Sequence, residues 1–132
     1  IDTGLTYLPI GRNLVTLSGG ERQRLKLTKA ITQNESVFVL DEPTTGLHLS
    51  DIKKLNELFQ RMVENGNTLI IIEHHSEIIK QADWIIDIGP DGGVNGGNVV
   101  FSGVPEDLLK SGTITGEYLK KSSEMIKNSI SC

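Results

Sequence analysis

Cysteine is almost missing from this chain of 132 residues, with Cys132 the only one. That excludes a disulfide framework within the chain and a zinc module built from several thiolates. A reduced, cytoplasmic protein is the expectation. Aromatic residues are scarce at 5%, and no apolar run approaches the ~20 residues that span a membrane. The densest apolar run, Leu69 to Ile72, has the length of a strand. Nothing at the N-terminus pairs a basic stretch with an apolar one as a signal peptide does. Positive charge is also in deficit: thirteen Lys and Arg stand against seventeen Asp and Glu, for a formal net charge of −4. That balance argues against a small protein that coats nucleic acid by charge alone. Three histidines are present, but His74 and His75 are adjacent and His48 lies far off, a poor pattern for a metal centre. Ile1 stands where a Met would begin a chain, which suggests processing or an excised fragment.

The length fits one domain, or part of one. Residues 1–17 carry isolated apolar residues and Gly/Pro breaks and read as a lead-in. Ser18-Gly19-Gly20 opens a helix to about Gln33, with Ser18 as its N-cap. Val37 to Leu40 is a continuous apolar run, as in a strand buried on both faces. Thr44 to Leu49 turns, and a helix follows from Ser50 to Asn65, closed by Gly66. Its Ile52, Leu55, Leu58, Phe59, Met62 and Val63 fall at helical spacing and predict a core face. Thr68 to Ile72 reads as another buried strand, Ser76 to Ala82 as a short helix, and Trp84 to Ile88 as a further strand. The glycine-dense stretch from Gly89 to Gly97 makes a hairpin turn, with Asn98 to Ser102 returning. Pro105 opens a small helix, an amphipathic helix runs from Thr115 to about Lys127, and the last ten or so residues read as a disordered tail. Strand–helix alternation over 37–88 predicts a parallel α/β sheet.

Three segments carry candidate chemistry. In Leu17-Ser18-Gly19-Gly20-Glu21, two glycines let the backbone approach a ligand, and the following helix offers free N–H groups to a phosphate. In Val37-Phe38-Val39-Leu40-Asp41-Glu42-Pro43, an apolar strand delivers two carboxylates to its C-terminal edge, where α/β sheets keep their ligands. The first carboxylate suits a Mg²⁺ shell and the second an attacking water; on an extended chain the two point to different sides. In Ile70-Ile71-Ile72-Glu73-His74, a strand ends in an acid and a histidine able to meet a terminal phosphate. Ser18 to Asp41 spans 23 positions, room for a helix and a strand; Asp41 to His74 spans 33, room for a turn, a helix and a strand. The charge is uneven as well. From Arg12 to Lys29 there are five basic residues (Arg12, Arg22, Arg24, Lys26, Lys29) and one acid, Glu21, consistent with a solvated helix face or with one that meets phosphate or a partner.

In that order, these residues resemble the C-terminal half of an ATP-binding cassette (ABC) ATPase domain, a P-loop NTPase fold with a parallel sheet and flanking helices. Leu17–Glu21 looks like the signature motif and Val37–Glu42 like the Walker B strand. Thr44-Thr45-Gly46-Leu47-His48 occupies the D-loop position, and His74 that of the switch histidine. Glu21, the string Asp41 to His48, Ala82 to Pro90 with the pairs Gly92-Gly93 and Gly96-Gly97, and Gly103 to Glu106 narrow the resemblance to the UvrA family, the damage-sensing A subunits of the bacterial excinuclease ABC complex. It covers roughly residues 5–121, so 1–121 is expected to be the C-terminal part of a cassette and 122–132 a disordered tail. Arg22 and Arg24 are closer to transporter cassettes, and His75 stands where the family commonly has Asn. A UvrA-like resistance paralogue and the energy module of an ABC export protein therefore stay open as alternatives.

The resemblance implies roles. Asp41 would hold Mg²⁺, Glu42 would orient the attacking water, and His74 would sense the γ-phosphate. Ser18, Gly19, Gly20 and Glu21 would meet ATP held by an opposite cassette, arranged head to tail, with Gly46, Leu47 and His48 at the same junction. DNA and a UvrB-type repair subunit would be partners through the parent protein, with no membrane partner. The P-loop pattern G-x-x-x-x-G-K-[S/T] occurs nowhere in the chain, and the family's zinc-binding cysteines are absent too. The chain alone is accordingly expected neither to bind ATP tightly nor to hydrolyse it. Its P-loop strand would belong between the strand ending at His74 and the one at Trp84–Ile88. Without it, strand edges should stay unpaired and favour self-association.

Overall fold

In a computed structural model the described residues are 14–17, 36–90 and 96–130. Leu14–Leu17 form β1 and Val37–Asp41 form β2, which pair in parallel from Leu14 opposite Val37 to Leu17 opposite Leu40. After a turn, Leu49–Glu64 form helix α1, and Thr68–Ile72 form β3, parallel to the other edge of β2. The order β1-β2-β3 puts the apolar run Val37 to Leu40 at the centre of the sheet. Val37, Phe38 and Leu40 are buried, as two covered faces require.

The apolar stripe of α1 supplies the rest of this core. Ile52, Leu55, Phe59 and Met62 are buried, each worth roughly 1.5–3 kcal/mol relative to exposure. Two expected members fall outside it: Leu58 is only half-buried and Val63 is 40% exposed, because both sit at the margin of the stripe. Asn56 takes an unexpected buried place. The helix ends as its sequence suggests, with Gly66 at φ +83° just past Asn65, a left-handed position that glycine adopts without penalty. Asn67 then ties three segments together. Its amide nitrogen donates to the Met62 carbonyl at 2.9 Å, and its side-chain oxygen accepts the Ser36 N–H at 3.1 Å.

β3 departs from the expectation of a strand buried on both faces. Ile70 and Ile72 are exposed at 37% and 55%, so one face of the strand is open, and no other strand among the described residues lies beyond it.

The chain divides into two compact units, residues 1–75 and 76–132. The second contains α2 (Ser76–Ile79), β4 (Ile85–Gly89), β5 (Asn98–Gly103), α3 (Pro105–Leu108) and α4 (Ile114–Ile130). β4 and β5 pair antiparallel, with an irregularity at Asp87/Ile88, as a two-stranded sheet of their own. The strand expected at Trp84–Ile88 therefore does not extend the parallel sheet. α3 begins with Pro105 at its first position, where no N–H is needed, and packs on β5. Ile78, Leu108 and Leu119 are buried in this unit. A side chain at Gly116 would meet the Leu108 carbonyl, so the start of α4 can lie on the end of α3 only with glycine there. The Thr115 hydroxyl donates to Asp87 at 3.0 Å and that of Ser122 to the Ser76 hydroxyl at 2.9 Å. α4 continues to Ile130 where the sequence predicts a tail from residue 122. Ser123, within that expected tail, bonds back to the carbonyl of Leu119, whose side chain is buried one turn earlier. The expected helix over residues 18–33 and the glycine turn at 91–95 lie outside the described residues.

Candidate nucleotide-hydrolysis site

β2 and β3 run in parallel with Asp41 opposite Ile72, so both strands deliver their following residues to one edge of the sheet. Asp41 closes β2 and is exposed. At Glu42 the chain leaves the strand abruptly: φ is +44°, a left-handed conformation that a non-glycine residue holds at a cost of about 1–3 kcal/mol. Its N–H donates to the Ile72 carbonyl at 2.9 Å, and its carbonyl accepts the Thr45 N–H at 3.1 Å. The two carboxylates are thus separated by a backbone reversal and not by the alternation of an extended strand. Pro43 and Thr44 follow as buried residues that seat the turn.

The turn brings Glu42 to His74. The Oε1 atom of Glu42 and the Nδ1 atom of His74 are 3.6 Å apart, and both side chains are largely exposed. The pair carries an attractive charge only when the imidazole is protonated. A carboxylate and an imidazole facing solvent at the edge of a parallel sheet can between them accept a proton from water and donate a hydrogen bond to an anion.

Glu73, just before His74, is the residue that sequence reasoning missed. Its Oε1 accepts the Thr44 N–H at 2.9 Å and the Thr44 hydroxyl at 2.5 Å. Its Oε2 accepts the N–H groups of His74 at 3.0 Å and His75 at 3.1 Å. Partial burial pushes this carboxyl up, but the Thr44 hydroxyl and the amides of Thr44, His75 and His74 together hold it below the usual glutamate range. An acid following a run of isoleucines was the available signal.

The other expected residues are distributed as follows. Gly46 is exposed with φ +74°, Leu47 is half-buried, and the Leu47 N–H closes the turn onto the Thr44 carbonyl at 3.0 Å. His48 is exposed at the N-cap of α1, where its carbonyl, and not its side chain, receives the first helical N–H groups. Ser18, Gly19, Gly20 and Glu21 lie outside the described residues. No group of three His, Cys, Asp or Glu gathers as a metal cage among the described residues. The donor on offer at the sheet edge is the Asp41 carboxylate, an exposed hard oxygen. It suits a cation such as Mg²⁺, which takes one or two carboxylates and completes its shell with water and phosphate.

Comparison with known proteins places these residues in context. The ABC transporter family matches residues 3–45, a stretch that ends within the turn after β2. UvrABC system protein A of Borreliella burgdorferi is 52% identical over 124 residues, covering 91% of this chain and 13% of that protein. The Aquifex aeolicus protein of the same name is 50% identical over 124 residues, and that of Staphylococcus aureus (strain COL) 48% over 131. The crystal structure of UvrA2 from Deinococcus radiodurans superposes with a TM-score of 0.73 at 40% identity, over 78% of this chain and 13% of that one. The chain spans about 13% of the length of these relatives. Over nearly all of its own length, it is a UvrA-like segment, similar in sequence to these UvrABC system A proteins and in fold to part of UvrA2.

Proposed function

We propose that this segment supplies the water-orienting and phosphate-sensing half of an ATP-hydrolysing site in a cytoplasmic UvrA-type protein of nucleotide excision repair. The observation that carries the reading is the facing of Glu42 and His74, 3.6 Å apart at the ends of adjacent parallel strands. Asp41 would hold Mg²⁺, whose charge, when bound, offsets that of the phosphates. Glu42 orients the attacking water and takes up its proton, from a left-handed turn in which its carboxylate faces His74. His74 donates a hydrogen bond to the terminal phosphate. Ser18, Gly19, Gly20 and Glu21 meet the nucleotide of an opposing cassette, arranged head to tail. Gly46, Leu47 and His48 lie at that junction and couple the two sites. ATP turnover then gates contact of the parent protein with damaged DNA and with a UvrB-type subunit. An export module has less in its favour, since the similar proteins are UvrABC system proteins.

Substitution of Glu42 in the full-length protein tests the reading. Glu42→Gln should lower steady-state ATP hydrolysis at least about 100-fold, the scale of a lost general base, while nucleotide binding persists. Hydrolysis at the unsubstituted rate would exclude Glu42 from the chemistry.

A further inference from the structure

Glu73 has no part in the chemistry just described, yet its carboxylate joins the two segments that carry it. One oxygen serves the turn after β2 by accepting both donors of Thr44; the other serves the end of β3 by accepting the N–H groups of His74 and His75. Glu42 lies two residues before Thr44 and His74 directly follows Glu73, so the carboxylate bonds the backbone of both segments close to the facing pair. The turn is short and strained. Glu42 keeps φ +44° while bonded through its N–H to Ile72 and through its carbonyl to Thr45. A conformation of that cost persists only where its surroundings over-determine it.

We infer that Glu73 is a positioning residue that clips the turn carrying Glu42 to the segment carrying His74, and so sets the distance between the water-orienting carboxylate and the phosphate-sensing imidazole. The inference rests on the ATP-hydrolysis reading for its consequence, but the clip itself is independent of it. Four donors on two oxygens leave a carboxylate no conservative replacement. In Glu73→Gln the amide oxygen can still accept from Thr44, but the amide nitrogen then presents N–H groups to the N–H groups of His74 and His75, and that half of the clip is lost. Glu73→Gln therefore separates the two sides of the clip without removing bulk.

The experiment combines steady-state kinetics with amide hydrogen exchange in the full-length protein. Glu73→Gln should lower kcat roughly 10- to 100-fold, the scale of a misplacement near 1 Å, with KM for ATP changed by no more than about twofold. In Glu73→Gln exchange should rise in the peptide covering residues 72–76; in Glu73→Ala, which removes both halves, it should rise together in 42–48 and 72–76. Thr44→Val, which removes one hydroxyl donor, should lower kcat in the same direction by less, and Thr44→Ser should restore most of that loss. This second pair decides the matter even if Glu73→Gln does not fold. An unchanged kcat in Glu73→Gln, a rise in KM in place of a fall in kcat, exchange that rises in only one of the two peptides in Glu73→Ala, or a Thr44→Ser no better than Thr44→Val would each overturn the inference. The two readings fail separately. Hydrolysis that survives Glu42→Gln ends the hydrolysis assignment and leaves the joint exchange result standing; unchanged exchange in Glu73→Gln ends the clip and leaves the assignment of Glu42 intact.

Discussion

At Glu42 the side chain proposed to orient water occupies a backbone conformation that its own Cβ disfavours. The φ of +44° is the only positive value at a non-glycine residue among the described residues, and it falls between the strand end and a buried proline. Strain at such a position is relieved by glycine. Glu42→Gly should therefore raise the stability of the chain by about 1 kcal/mol, after allowing for the extra freedom of an unfolded glycine, while removing the carboxylate. Chemical denaturation of the two chains measures this; a glycine variant less stable than the parent would mean that the Glu42 side chain contributes more than its backbone costs. Position 42 was legible in the sequence as an acid at a strand end. Its conformation was not, because φ is imposed by bonds to Ile72 and Thr45, and Ile72 belongs to a strand some thirty positions later. Glu73 shows the same limit, since its partner Thr44 is 29 positions away and nothing local marks the pairing.

At the scale of elements, periodicity placed β2, α1 and β3 within a residue or so, since each has a strong apolar pattern or a terminating glycine. It failed where partner choice decides. Strand–helix alternation counts Trp84–Ile88 in the parallel sheet while the glycine-dense turn pairs it with 98–102; only the hairpin forms, because a partner a few residues away requires little loop closure. α4 also runs past its sequence pattern, and its start is firmly seated: Gly116 admits the Leu108 carbonyl, the Thr113 hydroxyl accepts the Gly116 N–H, and the Thr115 hydroxyl donates to Asp87. A methyl group at Gly116 has a backbone oxygen in its way and cannot be accommodated by a side-chain rotation. Gly116→Ala should cost roughly 1–3 kcal/mol despite the better helix propensity of alanine. A thermal melt with an unchanged or higher midpoint would show that α4 can shift along α3 without loss.

For the whole molecule, the open edge and face of β3 are the main consequence of the sequence as it stands. Ile70 and Ile72 remain exposed, and on the far side of β3 no strand among the described residues supplies partners. Such an edge is a template for another chain. The isolated 132-residue chain should self-associate in a concentration-dependent way, and lysine at Ile72 should suppress this; sedimentation that stays monomeric across the micromolar range would count against it. What the parallel pair does possess is a lock at each end. Asn67, immediately before β3, captures the N–H of Ser36 immediately before β2; Glu73, immediately after β3, captures the N–H of Thr44 just beyond β2. Five-residue strands of mostly apolar side chains could slide past one another by a step of two with their faces unchanged. Here such a slip would break both locks at once, so the alignment that sets Asp41 beside Ile72 is all-or-none, and the sheet edge has one position and no neighbouring ones.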